Sequence, residues 1–227
     1  PAGEPYAVAM RSRAAWLGLA DEAGLPVRPC GSIHLAHRDD EWAVLEEFAA
    51  AAPGLGVACE LLGRDAVLAR SPGANPEGLI GGLFSPTELG VDPPAVLRAL
   101  PGYLSERLGV RFHFGTAVVA VEPGRVRAAD GREWLADRVF VCGGADFATL
   151  FPALFRGSGL RRCKLQMLRT GPQPGGWALG PHLASGLTLR HYANFAVAGS
   201  LAALRRRIAD ETPELDRYGI HVMASQD

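Results

Sequence analysis

Apolar residues in the first part of the chain recur at helical spacing. Tyr6, Met10, Ala14 and Leu17 line one face of residues 6–23, and Gly24-Leu25-Pro26 supplies a glycine and then a proline, as helix ends prefer. A short β-like run at 32–36 leads to Asp39, placed as a helix cap, with Trp42, Leu45, Phe48 and Ala52 on one face before Pro53-Gly54. Residues 57–62 predict a strand, 64–70 a short helix, and the glycine-interrupted run 79–84 an extended segment. Asp92-Pro93 then predicts a helix start, a carboxylate at the cap and a proline where its missing N–H is harmless. Val96, Leu97, Leu100, Leu104 and Leu108 form the expected buried stripe. Pro101 lacks the N–H that would bond the Leu97 carbonyl, so a kink is expected there.

From residue 110 to 135 the period changes to two. Phe112 and Phe114, Val119 and Val121, and Val126 and Ala128 alternate with polar neighbours, and Asp130-Gly131 is a hairpin signal. A short strand-like run at 138–141 enters the glycine turn at Gly143-Gly144, with a helix expected near 147–150. Residues 162–169 and 187–198 predict strands on either side of a Pro/Gly-rich loop at 171–181, and 201–209 predicts a basic helix.

Four signals in fixed order, Gly90-Val91-Asp92-Pro93, Gly115-Thr116-Ala117-Val118-Val119, Asp130-Gly131 and Val141-Cys142-Gly143-Gly144-Ala145, carry a resemblance. On them the chain resembles the FAD-dependent amine oxidoreductases of the D-amino-acid oxidase, glycine oxidase and sarcosine oxidase group, along nearly its whole length. The resemblance implies an α/β fold with an α+β substrate domain: a D-amino-acid-oxidase-like FAD-binding fold. The N-terminal Rossmann βαβ unit is missing, because no strand, G-x-G-x-x-G turn and helix can be read anywhere in the chain. The chain is therefore expected to be a fragment, lacking an N-terminal unit of roughly 40–60 residues and a C-terminal closing segment, since 220–227 reads as a strand without a partner. Residues 1–29 and 92–157 are expected to form the remaining part of the FAD-binding domain, and 30–91 and 158–227 the substrate domain.

The implied reaction is oxidation of a C–N bond in a small amine by hydride transfer to flavin N5, in which the cofactor does the hard chemistry and the protein positions the substrate. No residue is assigned as catalytic. The resemblance implies a backbone contact to the adenine at Val118 or Val119 and passage of Gly143-Gly144 near the cofactor. Only glycine combines positive φ with the lack of a Cβ, which suits a turn against a cofactor. On a strand, Arg190 and Tyr192 would share a face, a guanidinium and a phenol suited to a carboxylate or phosphonate. Gln166 matches a polar position in the family's substrate domain. The stretch from Leu187 onward resembles a subgroup associated with aminophosphonate breakdown. Two alternatives stay open, a flavin dehydrogenase of a 2-hydroxy acid or glycerol phosphate, and a non-catalytic fragment or binding module.

Composition narrows the partners. The chain has 227 residues, a net charge of −1 and 48% hydrophobic residues, which gives no electrostatic case for nucleic acid or a membrane surface. Arg205-Arg206-Arg207 is balanced by Asp210, Glu211 and Glu214 and reads as a solvated face. His34 and His37, beside Asp39 and Asp40, lack a third ligand on a rigid element and read as a capping loop rather than a metal site. The four cysteines, Cys30, Cys59, Cys142 and Cys163, are widely spaced without a C-x-x-C pair, as in a reducing compartment, so a cytoplasmic location is expected. The oligomeric state is not legible.

Overall fold

The computed structural model of the chain describes residues 3–226. Pro1, Ala2 and Asp227, which the sequence places in the opening segment and the last strand, lie outside the described residues. The rest forms two units, one running to Leu104 and resuming at Pro172, the other Ser105–Gly171. These boundaries differ from the sequence divisions at 29/30, 91/92 and 157/158.

In the first unit, α1 (Glu4–Ala23) stops at Gly24, whose φ of 61° is left-handed and whose N–H returns to the Ala20 carbonyl. β1 (Val27–Pro29) is followed by β2 (Ser32–Ala36) and α2 (Asp39–Leu55). Arg38, one residue before the expected Asp39, takes the N-cap position of α2. The Glu41 carboxylate in its first turn accepts the N–H of His37, one residue before the cap, at 2.9 Å. β3 (Glu60–Gly63), α3 (Arg64–Arg70), β4 (Gly81–Ser85), β5 (Leu89–Val91) and α4 (Pro93–Leu108) follow. Asp92 Oδ1 accepts the Ala95 N–H at 3.1 Å, so the carboxylate cap forms as expected. The α4 stripe does not: the helix continues through Pro101, Val96 is its one buried residue, and Leu97 and Leu108 are 70% and 66% exposed.

The second unit carries a meander of β6 (Val118–Glu122), β7 (Arg125–Ala128) and β8 (Glu133–Leu135), antiparallel in that order, and a short α5 (Pro152–Gly157). The Asp130-Gly131 hairpin is present; Gly131 has φ 88° and Asp130 Oδ1 accepts the Arg132 N–H at 3.1 Å. Four expectations are corrected here. Phe112 and Phe114 lie outside any strand, stacked on each other at 5.5 Å. Residues 138–141 are irregular, and the helix expected at 147–150 begins instead at Pro152, where a proline suits the first turn. Residues 162–169 are irregular and exposed, without the ladder a strand needs.

The chain then returns to the first unit with β9 (His182–Ala184), two 3₁₀ turns, α6 (Leu201–Glu211), α7 (Pro213–Arg217) and β10 (Met223–Ala224). The strand expected over 187–198 is replaced by turns at Gly186–Arg190 and Ala193–Val197. Thr188, Leu189 and Arg190 are buried consecutively, which a half-buried strand would not do. A five-stranded mixed sheet runs β10-β9-β2-β4-β3, with β2 and β9 parallel and the other pairs antiparallel; β1 and β5 pair separately.

Alternation along β2 divides the core of this unit. Ile33 and Leu35 enter one cluster with Leu62, Val67, Leu79 and Leu183. Ala36 enters the other, where α2 (Val44, Leu45, Phe48) meets α6 (Leu201, Leu204, Ile208) together with Leu189 and Phe195. The apolar spacing read in 39–55 and 201–209 is what drives those two helices together.

Candidate functional site

The expected site residues divide between the units: Val118, Val119, Gly143, Gly144 and Gln166 in the second, Arg190 and Tyr192 in the first.

In the second unit, β6 pairs with β7 along one side only, so its other edge presents unpaired backbone donors and acceptors among the described residues. The register shifts between Val118, which faces Ala128, and Ala120, which faces Arg127, leaving Val119 in a bulge and 43% exposed. A free strand edge with a bulge offers a flat heterocycle a backbone N–H and C=O. The glycine turn is closed by the Asp146 N–H on the Gly143 carbonyl at 3.1 Å, and Asp146 Oδ1 accepts the N–H groups of Ala148 and Thr149 at 2.9 and 3.0 Å. The Thr149 side chain first, then these backbone bonds from Ala148 and Thr149, hold the Asp146 carboxyl below its ordinary pKa. Gly144 has φ 57°, whereas Gly143 lies outside the left-handed region. The residue of the turn whose backbone calls for glycine is therefore Gly144. Gln166 lies in the exposed, irregular stretch.

In the first unit, Arg190 is placed unlike the strand residue expected from the sequence. Its side chain is 5% exposed and turned inward. Nη1 donates to the Leu187 carbonyl at 2.9 Å, Nη2 to Leu215 and Ile220 at 3.0 and 3.2 Å, and Nε pairs with Asp216 at 3.1 Å. The guanidinium clamps the chain's own backbone. Because the segment is a turn, Arg190 and Tyr192 do not form the side-by-side pair that a strand would give. Tyr192 is 41% exposed and its hydroxyl donates to Met223 Sδ at 3.7 Å.

Beneath Tyr192 lies His34, read from the sequence as part of a capping loop with His37. It sits instead in the middle of the sheet, in register with Ala184 of β9, which is in register with Met223 of β10. Cross-strand neighbours project to the same face, so His34, Ala184 and Met223 form a row. The His34 ring meets Phe195 edge-on at 5.2 Å and Tyr192 at 6.3 Å, and its Nε2 is buried without a hydrogen-bond partner among the described residues. Desolvation pushes its pKa down to about 4, so at neutral pH it is an uncharged imidazole. The signal for it lies in Ser32–Ala36: a histidine between Ile33 and Leu35 in a short β-like run.

Among the described residues no group of three or more His, Cys, Asp or Glu side chains is placed to hold a metal ion, and no helix is long and apolar enough to cross a membrane.

A family model described as "FAD dependent oxidoreductase" matches residues 2–224. "D-amino acid dehydrogenase 2" of Mesorhizobium japonicum is 38% identical over 77 residues, covering 32% of this chain and 18% of the relative. Glycine oxidase from Bacillus cereus superposes with a TM-score of 0.56 at 20% identity, over 68% of this chain and 45% of that one. Glycine oxidase from Geobacillus kaustophilus superposes with a TM-score of 0.51 at 21% identity, over 60% of this chain and 39% of that one. The two structural likenesses show the fold, and the chain spans less than half the length of each of these proteins.

Proposed function

The chain belongs to the FAD dependent oxidoreductase family, and from that premise we propose that it is part of an enzyme oxidising the C–N bond of a small anionic amine, an amino acid or an aminophosphonate. The observation that carries this reading is the family match over residues 2–224, nearly the whole chain. The relative named D-amino acid dehydrogenase favours a C–N over a C–O substrate.

The described residues fit a flavin dinucleotide at two points, the free edge of β6 with its bulge at Val119 and the left-handed turn at Gly144. Val118 and Val119 would offer backbone groups to the adenine, and Gly143-Gly144 would let the main chain pass close to the cofactor. When bound, FAD supplies the hydride acceptor. The protein's own residues bind and orient. Tyr192 presents a half-exposed phenol suited to an anionic substrate group, and Gln166 keeps the substrate-side role that the family resemblance gives it. Arg190 is a positioning residue: its bonds to Leu187, Leu215 and Ile220 fix the turn that carries Tyr192. The neutral His34 ring packs edge-on to Tyr192 without placing a charge beside it.

The test is product analysis with the protein expressed from its full reading frame. A D-amino acid, glycine and an aminophosphonate are each compared with the corresponding 2-hydroxy acid, and ammonia release is measured. Ammonia from one of the amines with no turnover of the hydroxy acids is the expected result. Turnover of the hydroxy acids alone would replace this reading with that of a flavin dehydrogenase of alcohols.

A further inference from the structure

We propose that the paired imidazoles of His191 and His221 form a pH-sensitive latch that holds the C-terminal strap, residues 212–226, against the turn at 185–192. The two rings lie 4.5 Å apart, centroid to centroid, tilted by 38°. His221 Nδ1 is 3.4 Å from Thr188 Oγ1, and a Cβ added at Gly219 would lie 3.6 Å from His191 Cε1.

Other fastenings of the strap involve no imidazole, among them the Arg28 guanidinium on the Gln226 carbonyl and the Leu179 N–H on Gln226 Oε1. Arg190, always charged, reaches the carbonyls of Leu215 and Ile220 and pairs with Asp216. The Ser185 N–H donates to the Val222 carbonyl at 3.0 Å, the Val222 N–H to Ser185 Oγ at 3.3 Å, and β10 adds its ladder to β9. The histidine pair is therefore the imidazole part of this contact, and His191 is the member whose protonation its surroundings disfavour.

The surroundings set the sign. The charged groups around the pair are Arg190 and Asp216. Arg205 of α6 donates to the Arg190 carbonyl, and Arg217 of α7 lies over Tyr218. Of these, Arg190 and Asp216 are the charges beyond His221 that act on His191. Two neutral rings pack together; two protonated rings at this separation repel each other beside Arg190. Burial first, then Arg190 and His221, hold the His191 pKa below its ordinary value, with Asp216 opposing. A group with a lowered folded pKa gives stability that is present above its unfolded value, near 6.5, and is lost as pH falls through the folded value. Acidification should loosen the strap, and with it the Met223 contact to Tyr192.

Amide hydrogen exchange of this chain, corrected for intrinsic rates and followed at residues 219–224 at pH 7.5 and 5.0, tests the latch. The α2 amides serve as internal reference. Protection in the strap relative to α2 should fall about tenfold at the lower pH, and the fall should vanish in His191→Phe and in His221→Gln. His34 lies under Tyr192, so His34→Leu is a third arm, in which the fall should persist. Strap protection that is equal at both pH values, or a pH response that survives in both pair variants, overturns the latch. So does a response that disappears with His34.

Discussion

The two units are built from similar proportions of apolar sequence and use them differently. The first buries two clusters on opposite faces of its sheet, with Ile33, Val44, Leu45, Val67, Leu189, Leu204 and Ile208 fully enclosed. In the second, Ala128 is the one buried residue among those described, while Phe114, Leu135, Phe140, Met167 and Leu168 are between 75% and 96% exposed. The second unit is held by ladder bonds, turns and local aromatic pairs such as Phe147 on Phe155 at 4.9 Å. A three-stranded meander of this kind gains little from burial. The difference teaches that helical and strand-like periodicity reports which face is apolar, and leaves open what covers it.

The comparison is tested most sharply by truncating one leucine in each unit. Leu204→Ala removes a fully buried side chain between α2 and α6 and should cost about 2–5 kcal/mol in urea denaturation. Leu168→Ala should change the same measurement by no more than about 0.5 kcal/mol. Equal losses would mean that Leu168 is packed and that the contrast between the units is wrong.

The second effect is specific to the first unit. With the His34 pKa lowered to about 4, the unfolded state binds a proton that the folded state refuses between pH 6.5 and 4. The stability that depends on a neutral His34 is complete above pH 6.5 and declines as pH falls, by about 3 kcal/mol in all. Denaturation midpoints followed across this range should slope in the wild type and flatten in His34→Leu. An unchanged slope in the variant would assign the effect to another group.

What was legible follows the same division. In 39–55 and 201–209 the apolar residues meet each other across the core, so periodicity alone located α2 and α6 to within a residue or two. The Asp92 cap, the Gly24 stop and the Asp130-Gly131 hairpin are local chemistry and needed no tertiary context. The failures fall where alternation had no partner strand to pair with. Residues 162–169 have strand-like composition without a ladder, and 187–198 fold into turns because Arg190 finds its carbonyls at 215 and 220, out of reach of any local pattern. For the same reason Arg190 reads from the sequence as a substrate-facing strand residue, and the β-like run at 32–36 holds His34 without revealing that it is buried beneath Tyr192.

A smaller effect separates the two glycines of the turn. Gly144→Val forces a branched side chain into φ near 57° and should weaken FAD retention by about tenfold. Gly143→Ala meets nothing closer than the Asp146 carbonyl, 3.8 Å from the new Cβ, and should retain FAD nearly as well as the wild type. Titration of the apoprotein with FAD distinguishes them; equal affinities would make the turn a plain structural one.

The claim on which the functional account rests is that these residues belong to a flavoenzyme. Protein expressed from the full reading frame and purified without added cofactor should absorb near about 450 nm, release FAD on denaturation, and lose the band when an amine substrate is added without oxygen. A colourless protein that takes up no FAD when it is supplied in excess would contradict the account.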